Sequence, residues 1–170
     1  MKTLAEIKDN PDFKPEENMG LREASRAVLI DENGLVPLLF VSRLNYHKLP
    51  GGGVDKGETK EQALEREILE EVGSRIKIVE EIGKVIEIRS KFNVKQVSYC
   101  YLGKILSKGE PNFTEEELRD GFRLVWVNLE KAISMLENES PGNYQGSLIK
   151  QRDLVVLKEA RKMLSRKPLV

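Results

Sequence analysis

The chain has 170 residues, 39% of them hydrophobic, and its 28 lysines and arginines balance 28 aspartates and glutamates to a formal net charge of zero. That length suits one domain that buries a continuous core, and the single cysteine, Cys100, excludes an intrachain disulfide and any cysteine-rich zinc site. Zero net charge argues against broad, sequence-blind attachment to nucleic acid or an anionic membrane, although 33% of the residues are charged.

The opening 25 residues mix Lys, Asp, Glu and Pro and hold no apolar stretch like a signal peptide's core. Thr3 and Glu6 have capping-box spacing, and Pro11 and Pro15 follow, so this segment is expected as a short helix and an extended arm. Ala24 to Ile30 is apolar and β-branched and reads as a strand. Asn33-Gly34 is a hairpin signal, and Val36 to Leu44 reads as the returning strand, with Pro37 near its start. The run Leu35 to Val41 is too short to span a bilayer, so no membrane partner and a cytoplasmic location are expected. Leu49-Pro50-Gly51-Gly52-Gly53 reads as a loop.

Thr59 to Val72 has helical character, with Thr59 as cap and Gly73 as terminator. Arg75 to Ile88 and Val94 to Ile105 read as strands joined by a turn at Ser90 to Asn93. Ser107 to Gly121 is a polar, acidic loop with room for one helical turn. Phe122 to Val127 reads as a strand, Leu129 to Leu136 as a short helix, and Ser147 to Leu164 as a longer one. Strands interrupted by one helix and closed by another predict helices packed on a mixed sheet, in a single domain spanning residues 1–170.

On the central helix Glu67, Glu70 and Glu71 fall at i, i+3 and i+4, so their carboxylates share one face. Leu64, Ile68 and Val72 form the neighbouring apolar stripe. Three carboxylates together repel one another unless a cation joins them, and Mg²⁺ or Mn²⁺ wants clustered oxygen ligands of this kind. Arg66, one turn before Glu70, is placed to pair with it. A solvated acidic face is the alternative for these residues taken alone.

From Gly52, five residues lead to Glu58 and seven more to Arg66, followed by Glu67-Ile68-Leu69-Glu70-Glu71-Val72-Gly73. This resembles the Nudix hydrolases, whose signature is G-x5-E-x7-R-E-U-x-E-E-x-G-U with U aliphatic. Eight of nine specified positions match, and the ninth is Ser74. Chance would produce such a match with a probability on the order of 10⁻⁵.

The resemblance implies an α/β/α sandwich with a mixed β-sheet and hydrolysis of a diphosphate linkage in a nucleoside-diphosphate-linked small molecule. It also implies dependence on Mg²⁺ or Mn²⁺. It makes Glu67, Glu70 and Glu71 metal ligands, joined by the Gly52 backbone carbonyl, with Arg66 orienting a glutamate and Glu58 supporting the loop. Glu70 is the candidate general base and Glu67 its rival.

Arg43 and Lys48, just before the glycine loop, are candidate substrate contacts, with solvated strand-end charges as the alternative. His47 is the lesser candidate for the base, since the glutamate cluster already provides one. Glu115, Glu116, Glu117 and Asp120 offer a further metal ligand or the base, against the plainer reading as a solvated charge run. Cys100 and Trp126 read as core, Tyr144 as a loop aromatic, and Arg152 with Asp153 as an exposed helix pair. ADP-ribose-type relatives often carry a proline beyond the signature, and dinucleoside-polyphosphate types a tyrosine. Arg75 to Asn93 has neither, which favours a nucleoside triphosphate or a related small nucleotide. A nucleotide-sensing module of the same fold, or a hydrolase of RNA 5′ ends, are the alternatives; neutral composition weighs against nucleic acid. A homodimer is left open.

Overall fold

The computed structural model describes residues 1–15 and 17–169. The expected N-terminal helix is instead β1 (Thr3–Lys8), which lies parallel to β6 (Arg75–Arg89). Few turns of helix cannot stabilise themselves without tertiary support, whereas the edge of β6 supplies backbone partners and a buried place for Ile7.

The Asn33-Gly34 turn forms, but it does not make a hairpin. Gly34 has φ +78°, and the Asp31 Oδ1 accepts the Asn33 and Leu35 N–H groups at 2.9 and 2.7 Å. The flanking strands β2 (Gly20–Ile30) and β3 (Leu35–Val41) then enter different sheets. Both edges of β2 are already taken, by β7 (Val94–Ser107) in parallel and by β5 (Gly51–Gly53) in antiparallel register. Part of the expected glycine loop is therefore an edge strand.

The larger sheet is mixed, in the order β1-β6-β7-β2-β5, and the smaller is antiparallel, β4 (Tyr46–Lys48)-β3-β8 (Phe122–Asn128). Pro37 lies opposite Trp126 on a stretch of β3 that β4 does not reach, so its missing N–H costs no ladder bond.

Side-chain alternation along β2 builds the layers. Ala27 and Leu29 face α1 (Lys60–Val72) and meet Leu64, Ile68 and Val72, while Val28 faces the opposite layer. There α3 (Leu129–Asn138) and α4 (Tyr144–Arg166) supply Ala132, Ile133, Leu136, Val156, Leu157 and Ala160. Each fully buried Leu or Ile contributes about 1.5–3 kcal/mol of transfer free energy. The result is the expected α/β/α sandwich.

Arg152 and Asp153 on α4 are fully buried, not exposed. Among the described residues no helix is long and apolar enough to cross a membrane.

Candidate active site

Helix α1 begins and ends as its residues dictate. The Thr59 Oγ1 accepts the Gln62 N–H at 3.1 Å, and the Gln62 Oε1 accepts the Thr59 N–H at 2.9 Å. Gly73 ends the helix at φ +68° and donates to the Leu69 carbonyl at 3.1 Å. A Cβ there would run into the Glu110 backbone, because the loop before α2 (Glu115–Arg119) is stitched to the helix end by Asn112 N–H donating to Glu70 O at 2.7 Å.

With Leu64, Ile68 and Val72 committed to the sheet, the acidic face turns toward the glycine strand and lines a cleft of about 620 Å³. Gly51, Gly52, Gly53, Arg66, Glu67, Glu70, Glu71 and Lys48 all border it. Gly52 approaches Glu67 so closely that a Cβ would lie 2.5 Å from its carboxylate. Any larger residue would displace the acid.

The acids differ in their company. Arg66 donates from Nε and Nη2 to Glu58 at 2.9 Å each and from Nη1 to Glu67 at 2.8 Å, while Glu70 stands 3.9 Å away. The pairing of Arg66 with Glu70 that the spacing offered is present at that longer distance, and Arg66 is held more closely by Glu67 and by Glu58, which returns from the loop to meet it. The Glu58 hydrogen bond, reinforced by Glu67, raises the Arg66 pKa. Glu71 is buried, accepts the Gly51 N–H at 2.8 Å and meets the Lys48 ammonium at 3.2 Å. Burial raises the Glu71 pKa and Lys48 opposes this. Glu70 is raised by partial burial and then by the charge of Glu67.

Among the described residues no three ligating side chains are gathered to hold an ion as they stand. Arg66 draws on Glu67, and Lys48 on Glu71. The donor chemistry nevertheless fits a hard divalent cation: carboxylates beside the Gly52 backbone, with Glu70 already destabilised by a neighbouring negative charge.

Of the acidic loop, Glu116, Glu117 and Asp120 border the cleft, and Glu115 does not. Glu117 also serves the capping box of α2, accepting the Thr114 N–H at 3.2 Å. Arg43 pairs with Asp120 at 3.4 Å and lines an adjoining hollow rather than the cleft. His47 is engaged through Nδ1 by Glu139 and stacks on Phe40, a structural position. Cys100 is buried, as expected, and burial pushes its thiol up to about 12. Trp126 is half-buried under the Lys108 ammonium, 3.9 Å from the ring centroid. Tyr144 opens α4 and donates its hydroxyl to Asp9 at 2.5 Å.

The sequence pattern of the NUDIX domain matches residues 20–146, three quarters of the chain and all of this wall. The chain belongs to the Nudix family. Solved structures share its fold at low identity. A NUDIX hydrolase from Nitrosomonas europaea superposes with a TM-score of 0.62 at 16% identity, covering 84% of this chain and 89% of that one. A MutT protein from Methanosarcina mazei gives 0.60 at 19%, covering 87% and 99%. The RNA pyrophosphohydrolase of Tolumonas auensis is 42% identical over 67 residues, 38% of this chain and 33% of that protein. The chain thus spans about a third of the curated relative it matches.

Opposite the Nudix helix, the cleft has a basic floor that the sequence reading missed: Arg22 and Arg26 on β2, Arg89 on β6 and Arg152 on α4. The Arg26 Nη1 donates to the Gly51 carbonyl at 3.2 Å, and Arg22 donates to Gln96 at 3.3 Å. A signal was present. Ile149, Arg152, Asp153, Val156, Leu157 and Ala160 follow the 3.6-residue period of a buried stripe, so Arg152 and Asp153 occupy core positions in the pattern. Arg26 likewise interrupts a strand that is otherwise small or apolar.

Proposed function

We propose that this Nudix protein hydrolyses a diphosphate bond in a nucleotide-type small molecule with the help of a divalent metal, and that a nucleoside triphosphate is its first candidate substrate. The observation that carries this is the approach of Gly52 to Glu67 on a cleft wall shared with Glu70. A Mg²⁺ or Mn²⁺ ion bound there would neutralise phosphate charge and lower the pKa of a water. Glu67, Glu70 and Glu71 would hold it, with the Gly52 carbonyl.

The side chains divide the remaining work. Arg66, clamped by Glu58, fixes the rotamer of Glu67. Glu70 is the base that takes the proton of the attacking water, because among the described residues its carboxylate has no close hydrogen-bond partner and its neighbours favour proton uptake. Lys48 compensates the buried charge of Glu71. Positioning and charge carry most of such a reaction, since phosphoryl transfer leaves little covalent work for side chains.

A second reading, hydrolysis at an RNA 5′ end, is favoured by one feature. The cleft opens past Leu44, Asp120 and Gln145 into a hollow of about 510 Å³ edged by Arg43, Lys91 and Arg119, where Phe92 is 54% exposed against Tyr144. Cations around an exposed aromatic suit a base and further phosphates. The relative from Tolumonas auensis, named as an RNA pyrophosphohydrolase, points the same way.

The deciding experiment is a panel of nucleoside triphosphates, ADP-ribose and 5′-triphosphorylated RNA, assayed for phosphate and pyrophosphate release in Mg²⁺ and again in excess EDTA. Turnover of a nucleotide that stops in EDTA and returns with Mg²⁺ is expected. Undiminished turnover in EDTA ends the metal reading, and saturable binding without turnover of any substrate leaves a sensor module.

A further inference from the structure

We propose that the floor of the cleft is an oxyanion pocket that takes a phosphate group of the substrate's phosphate chain, built by Arg26, Arg89 and Arg152 with Arg22 at its rim. The identity of the ligand rests on the hydrolase reading; the pocket itself does not.

Three observations converge. First, the donors are unfinished. Arg26 Nε, Arg89 Nε and both terminal nitrogens of Arg152 are buried and have no hydrogen-bond partner among the described residues. The three residues are 5%, 8% and 0% exposed. Buried N–H groups are rarely left unpaired, because each forfeits its water without a replacement.

Second, the local carboxylates are used up. Glu87 accepts from the Arg89 Nη2 at 3.1 Å and the Gln96 Nε2 at 2.8 Å, with the Arg152 Nη1 at 3.6 Å. Asp153 accepts from the Arg152 Nε at 2.6 Å and the Leu49 N–H at 2.8 Å. Four guanidinium groups thus face two carboxylates, leaving a surplus of two positive charges in the floor. Burial and then the charge of Arg152 lower Arg26 to about 10, in line with that surplus.

Third, the arginines come from β2, β6 and α4 and line the same cleft as Glu67 and Glu70. A polyphosphate has two needs, a metal-bearing wall for the bond that breaks and donors for the next phosphate. Guanidinium forks suit the second because they bind phosphate oxygens in pairs.

The test uses inorganic pyrophosphate as probe on the full chain in EDTA, so that no metal mediates binding. Calorimetry and thermal melting are run against sodium chloride of equal ionic strength. The expected result is saturable binding with a rise in melting temperature that chloride does not reproduce. Arg22→Gln, at the exposed rim, should weaken pyrophosphate about tenfold while melting normally when free of ligand. Arg89→Lys, which keeps the charge but loses the fork, should weaken it as well. Arg161→Gln, on an exposed part of α4, should bind as the unaltered protein does.

Binding only in the presence of Mg²⁺, or equal affinity in Arg22→Gln and Arg89→Lys, overturns the pocket. With nucleoside triphosphate as substrate, Arg22→Gln should raise KM with little change in kcat; an unchanged KM overturns its assignment to the substrate's chain. The two readings fail separately. Metal-free pyrophosphate binding without any turnover removes the hydrolase and keeps the pocket, whereas turnover with no metal-free binding does the reverse.

Discussion

Glu67 and Glu70 sit three residues apart on one helix face, yet they meet different surroundings. Glu67 is drawn to Arg66 and closes on Gly52, while Glu70 meets the same guanidinium at the longer distance of 3.9 Å. Glu70→Gln is therefore expected to lower kcat by about 10²–10⁴, the usual contribution of a general base, with loss of a ligand adding to it. Its melting temperature should hold, because the change removes a like charge beside Glu67 and touches no core residue. Glu117→Gln is the informative rival, since Glu117 lies close enough to raise the Glu70 pKa whereas Glu115 does not reach the cleft. Near-normal kcat in Glu70→Gln together with its loss in Glu117→Gln would move the base to the acidic loop.

Among the elements, β1 is held by a clamp just past its end. Asp9 accepts the Tyr144 hydroxyl at 2.5 Å and the Ser90 N–H at 3.0 Å, joining the first strand to α4 and to the short turn after β6. Partial burial pushes the Asp9 carboxyl up, but these hydrogen bonds outweigh it and hold it at about 2, against an ordinary 3.8. A depressed carboxylate stabilises the fold above its unfolded pKa and stops doing so as the pH falls through the folded one. The clamp should thus be fully present above about pH 4 and lost toward pH 2, a contribution on the order of 1 kcal/mol after allowance for solvent. Urea midpoints of the unaltered protein and Asp9→Asn across that window check it. The gap between them should shrink as the pH falls; a constant gap would mean that the carboxylate charge contributes nothing. Thr3 and Glu6 carried a helix signal in this same segment, and the free edge of β6 overrode it.

The whole molecule is pinned through α4. Asp153, fully buried, neutralises Arg152 and accepts the Leu49 N–H at 2.8 Å, so the last helix fixes the entry to the glycine strand. Burial alone would lower the Arg152 pKa, but Asp153 and Glu87 together raise it. Asp153→Ala should cost about 3–5 kcal/mol in urea unfolding, because it leaves a buried guanidinium short of charge and a buried N–H without an acceptor. Asp153→Asn, which keeps an acceptor for Leu49, should cost less. A loss below about 1 kcal/mol in Asp153→Ala would show that water enters the network and that the helix does not anchor the loop.

The residues between Gly52 and Gly73 were legible because their chemistry is local. A capping box, a terminating glycine, an apolar stripe at spacing four and three carboxylates on one face are all written within one helix and its loop. The layered fold was legible through the same signature, whose resemblance implies an α/β/α sandwich, and through the order of strands around one central and one closing helix. Pairing was not legible. The Asn33-Gly34 turn specifies a reversal of the chain but not which strand lies beside the next, and β7 and β5 had already claimed both edges of β2. The arginine floor was legible only in part: Arg152 falls on a buried helix stripe and Arg26 inside an apolar strand, but that they meet Arg89, far away in sequence, at one cleft is decided by long-range packing. Sequence by itself determined the helix that presents the acids; tertiary structure alone decided what faces them, because charges meet across a cleft only after the sheet and α4 have closed it.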